Sequence, residues 1–64
     1  MNLVEAVSMS SLVFNRSVVF GDDLATEQLR ELIEIQHKCY QTFVYYRRYD
    51  LSIASLRNLL MILQ

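Results

Sequence analysis

The sequence predicts a mainly α-helical protein: an antiparallel two-helix hairpin with a short N-terminal arm or strand, completed by pairing with a second copy. Three observations lead there. Apolar residues recur in steps of three and four through the second part of the chain, the signature of a helix with one buried face. The single glycine, Gly21, and the absence of proline leave one clear break, at "FGDDLAT". The 64 residues are 53% apolar and 20% charged, without a disulfide-forming pair of cysteines. A unit this small buries only ~60% of its unfolded surface, so surplus apolar side chains belong in an interface. The break divides the chain into residues 1–21, the arm, and 22–64, the hairpin.

Within the arm, Leu3, Ala6, Val7 and Met9 suit a short helix or a loose segment. "SLVFNRSVVF" is rich in Val and Phe, which favour strands. Leu12, Phe14, Val18 and Phe20 share one strand face that Arg16 interrupts, which predicts extended chain from Ser11 to Phe20. A lone strand is marginal in water, so it must pack on the helices or pair across a dimer.

The first hairpin helix is expected over about residues 24–48. Leu29, Leu32, Gln36, Cys39, Phe43 and Tyr46 form its stripe, widened by Ile33 and Tyr40. Asp22, Asp23 and Thr26 are capping residue types. Acids Glu27 and Glu31 near the start, with Arg47 and Arg48 near the end, suit the helix dipole. Glu34 and Lys38 are an i, i+4 pair. Asp50 and Ser52 then start a second helix over about 51–63, with Ile53, Leu56, Leu60 and Leu63 at helical spacing. One long kinked helix is the rival. "LRNLLMILQ" is apolar almost all round, which a single helical neighbour cannot cover.

The densest chemistry is "FVYYRRYDLS". Phe43 and Tyr46 belong to the stripe, while Tyr45, Arg47, Arg48 and Tyr49 stand at the corner where the helices meet. Tyr and Arg are typical hot-spot residues, so these four are the candidate partner-binding set. Gln36, a polar residue centred in an apolar stripe, is the kind that fixes oligomer state by pairing with its mate. Gln36, Leu59, Leu60, Ile62 and Leu63 are the candidate oligomer interface.

Other constellations read as structure. Glu34 and His37 have the Glu-x-x-His spacing of di-iron bundles, but lie towards the charged side without further inward glutamates. Cys39 sits on the stripe as a small hydrophobe, with no base beside it. One cysteine and one histidine are too few for a usual zinc site, and no phosphate-binding loop or nucleophile–base–acid set exists. No cofactor or metal is expected, and no enzymatic activity.

The function these features predict is a non-enzymatic interaction module, a homodimer that docks on a larger protein and modulates or inhibits it. Its size suits a phage- or plasmid-type modulator of host proteins, an analogy from size alone. The alternatives are a small transcriptional regulator touching DNA through Arg47, Arg48 and Arg57, and a structural subunit with Leu59 to Leu63 as a permanent interface. A net charge of −1 argues against nucleic acid. No uncharged apolar run reaches the ~18 residues of a membrane span, and Glu5 without a basic n-region is unlike a signal peptide. A cytoplasmic location without membrane contact is the expectation.

Overall fold

The computed structural model describes residues 1–64 as three helices and no strand. Helix α1 spans Leu3–Phe20, α2 spans Thr26–Tyr45 and α3 spans Tyr49–Leu63, with a 3-10 turn over Gly21–Asp23 between the first two. The longest dimension, 33 Å, is little more than the length of α2, since 20 helical residues rise about 30 Å.

The segment expected as an arm or strand is helical. Its start is set by Asn2, whose side-chain oxygen accepts the Glu5 N–H at 2.8 Å, with Glu5 in the first turn where the dipole favours an acid. Its inward residues, Ala6 and Val13 with the partly buried Ser10 and Ser17, recur in steps of four, three and four. Small and hydroxylated side chains make that face, so the alternation of large apolar residues misleads: Leu12, Phe14, Val18 and Phe20 all point outward. The unit is therefore three helices, not a hairpin with an arm.

The break after α1 does not depend on glycine. Gly21 has φ −52° and ψ −41°, ordinary helical values, and a Cβ there would meet nothing within 4 Å. Nor do Asp22, Asp23 or Thr26 cap α2. Ala25 is the capping position, and Gln28 reaches back to accept its N–H at 2.9 Å.

Between α2 and α3 the chain turns at Arg47, the one residue with positive φ, 56°. The Arg48 N–H donates to the Phe43 carbonyl at 2.8 Å and the Arg47 N–H to that of Val44 at 3.0 Å. These two bonds make a Schellman ending, with arginine at the left-handed position where glycine is usual. One continuous kinked helix is thus ruled out. Helix α2 ends at Tyr45, three residues before the expected 48, and α3 begins at Tyr49, two residues before the expected 51.

Contacts fix the directions. Leu51, early in α3, packs against the cluster that holds Cys39 and Phe43, late in α2, while Asn58 meets Gln36, so α2 and α3 are antiparallel. Ala6 packs with Cys39 and Phe43 while Ser10 meets Gln36, so α1 is antiparallel to α2 and parallel to α3. Helix α2 is central, and α1 and α3 meet each other far less than either meets α2.

The apolar core is small: Ala6, Cys39 and Phe43 with Leu3, Met9, Ile35 and Leu51 against them, and Val13, Leu32 and Leu59 buried elsewhere. On α3 the inward residues are Ser52, Ser55, Asn58 and Leu59. The expected stripe of Ile53, Leu56, Leu60 and Leu63 is on the outside, with Leu60 54% exposed and Leu59 only 8%. Tyr46 also leaves the α2 stripe for solvent.

Candidate functional site

Two features could carry function: a polar cluster joining the helices, and the exposed surfaces around it. The cluster begins at Gln36, which is 0% exposed. Ser10 Oγ donates to Gln36 Oε1 at 2.7 Å, and Gln36 Nε2 donates to Asn58 Oδ1 at 2.7 Å. Asn58 Nδ2 donates to Ser17 Oγ at 3.0 Å, and Ser17 Oγ donates to the Phe14 carbonyl at 2.9 Å. Ser55 Oγ lies 3.3 Å from Ser10 Oγ. Because the Ser10 proton is committed to Gln36, Ser55 is the donor of that pair. The result is one directional relay, Ser55 to Ser10 to Gln36 to Asn58 to Ser17, through all three helices. No buried side-chain nitrogen or oxygen is left without a partner. Bonds in such a chain polarise one another, so the relay resists piecemeal disruption.

The relay contains no acidic or basic side chain, and its bonds tie the three helices to one another. It also places Gln36, expected between copies, inside one copy with its amide satisfied there.

The corner residues are exposed as a group. Tyr45 is 78% and Tyr49 59% exposed, and Tyr45 and Tyr46 meet edge to face with centroids 5.2 Å apart. Met1, Lys38, Gln41, Thr42 and the two tyrosines line a cleft of about 320 Å³ beside them. Arg47 is exposed at the turn. Arg48 forks onto Asp50, with Nε to Oδ1 at 3.3 Å and Nη2 to Oδ2 at 3.2 Å. The hydrogen bonds from Arg48 hold the Asp50 carboxyl below its ordinary range. Its contribution to stability is present above the ordinary carboxylate range and lost as pH falls through the depressed value. Both side chains are exposed, so solvent and salt screen that contribution.

Of the expected oligomer interface, Leu59 is buried within the chain, Ile62 is half-buried, and Leu60 and Leu63 are exposed. Glu34 and His37 are exposed, and the His37 ring stacks on Tyr40 at 6.4 Å. Cys39 is enclosed, and burial pushes its thiol up. That thiol adds stability fully present below its ordinary range and lost as pH rises through the raised value.

Sequence reasoning missed the outer surface of α1. Val4, Val7, Leu12, Phe14, Val18 and Val19 are all exposed there. By length and composition, Leu3–Asp23 also reaches what a membrane span requires, although Glu5 and Arg16 interrupt the apolar run. Between α1 and α3, opposite α2, a groove of about 370 Å³ opens with Val7, Phe14, Leu51 and Ala54 on its walls. Its floor reaches Gln36, Phe43 and Asn58. No family model, no curated protein and no solved structure matches this chain.

Proposed function

We propose that the chain is a non-enzymatic protein-interaction module that pairs with itself and docks on a larger protein, whose activity it modulates or inhibits. The observation that carries this reading is the placement of large apolar side chains. Seventeen are exposed against six apolar residues in the buried core. Isolated exposed hydrophobes are ordinary, but here they run along whole faces of α1 and α3, the pattern of unpaired interfaces. Self-pairing covers part of that surface. The corner of Tyr45, Arg47, Arg48 and Tyr49 serves the larger partner, because aromatic and guanidinium groups grip protein surfaces by stacking and forked hydrogen bonds.

The DNA-binding alternative has less support. Arg48 is already paired with Asp50, and Arg57 lies more than two turns along α3 from the corner.

The test uses the corner directly. Arg47→Ala combined with Arg48→Ala is expected to retain the helical circular-dichroism signal and the native mass, while losing capture of the partner that the wild-type chain retains in a pull-down. Undiminished capture by the double variant would exclude the corner as the docking site.

A further inference from the structure

We infer that the groove between α1 and α3 is filled by α1 of a second copy, lying antiparallel to the α1 that lines it. This rests on the self-pairing reading above and names where and how the pairing occurs.

The first support is the arrangement of helices. α1 and α3 are parallel, α2 is antiparallel to both, and α1 and α3 meet far less than either meets α2, chiefly through the Ser10–Ser55 and Ser17–Asn58 hydrogen bonds. These are three corners of a four-helix bundle, in which diagonal helices make few contacts and neighbours alternate in direction. The vacant corner lies opposite α2, where the groove is. Whatever fills it in an up-down-up-down bundle must run antiparallel to α1 and α3. A two-fold axis crossing α1 supplies such a helix automatically, because it sets α1 against its own reverse.

The second support is charge. The ten groove-lining residues include no acidic or basic side chain. The occupant must therefore offer an uncharged face, since a charge there would be buried without a partner. The outer side of α2 carries Glu27, Arg30, Glu31, Glu34 and Lys38 and does not qualify. The face of α1 made by Val4, Val7, Ser11, Phe14 and Val18 does.

The third is spacing. Those five residues follow each other by three, four, three and four, the seam of a two-helix contact. The set is nearly its own reverse about Ser11. In an antiparallel pair centred there, Val4 faces Val18, Val7 lies against the Phe14–Asn15 turn, and Ser11 meets its mate. A small residue at the crossing lets the backbones approach. All five are exposed in the single chain. The rival seam on α3, through Ile53, Leu56 and Leu60, does not line the groove, and pairing there would leave the groove open.

The experiment is light scattering together with oxidative cross-linking of full-length variants that retain the enclosed Cys39. Wild type is expected at twice the chain mass. Ser11→Cys should form a disulfide-linked dimer, and Leu60→Cys should not. Phe14→Glu, at an exposed position, should lose the dimer while keeping its helical signal. A dimer that cross-links through Leu60→Cys and not Ser11→Cys would overturn this placement and leave self-pairing standing. A folded monomer at high concentration would overturn both. If that monomer floats with phosphatidylcholine vesicles, the occupant of the α1 face is lipid.

Discussion

Gln36 shows how one side chain can reverse the sign of an expectation. As a lone amide in an apolar stripe, it invites replacement by leucine to gain stability. In the folded chain its oxygen accepts from Ser10 and its nitrogen donates to Asn58. Gln36→Leu therefore leaves the Asn58 carbonyl without its donor and the Ser10 hydroxyl without its acceptor. Leaving such buried groups unpaired costs ~1–3 kcal/mol each, so urea denaturation is expected to show a lower midpoint for this variant. Leu59 and Leu60 make a matched comparison of the same residue type on adjacent positions. Leu59→Ala removes a buried side chain and is expected to cost ~2–5 kcal/mol. Leu60→Ala should stay within ~0.5 kcal/mol of wild type, because its side chain is outside the chain and outside the groove. Equal melting temperatures for the two variants would show that the inward face of α3 is elsewhere.

At the scale of the element, the turn between α1 and α2 has room for improvement. Gly21 holds ordinary helical angles with open space where a side chain would be. Gly21→Ala reduces the freedom of the unfolded chain without straining the fold, and is expected to stabilise by ~0.4–1 kcal/mol in thermal denaturation. The same positions explain what could be read from sequence. α2 was legible because Leu32, Cys39 and Phe43 are both apolar and inward, so hydrophobicity and burial coincide. On α1 and α3 they do not. Ala6, Ser10 and Ser17 face in on α1 beside Val13, and Ser52, Ser55 and Asn58 on α3 beside Leu59, while most of the larger apolar residues face out. Periodicity of apolar residues then reports the wrong face, and on α1 it suggested the wrong element. The signal that survives is the spacing of the small and polar residues themselves, in steps of three and four. The turn at Arg47 was less visible still, since nothing in the residue type announces a left-handed backbone. The exposure of Tyr45, Arg47, Arg48 and Tyr49 was legible because Tyr and Arg clustered at a helix end have few inward uses.

The whole molecule has two unlike sides. The outer side of α2 is charged, and the faces of α1 and α3 away from it are largely apolar. A chain built this way gains stability from whatever covers the apolar side. If that is a second copy, folding and association are linked, and the melting temperature depends on protein concentration. Calorimetry over a hundredfold dilution is expected to show a falling midpoint for wild type and a constant, lower one for Phe14→Glu. A wild-type midpoint indifferent to dilution would mean that the single chain is stable by itself.

The left-handed residue at the corner opens a route that the genetic code does not offer. An L side chain at positive φ crowds the adjacent carbonyl, at ~1–2 kcal/mol, whereas a mirror-image residue is at home there. Arg47→Gly would relieve the crowding but also delete the guanidinium, so backbone and recognition would change together. A chain of 64 residues is within reach of chemical synthesis, and D-arginine can be placed at position 47 alone. The product keeps its charge and its five donors while the backbone relaxes, so it should melt higher than the natural chain. Chirality at one atom thus becomes the control that separates what the corner does for folding from what it does for a partner.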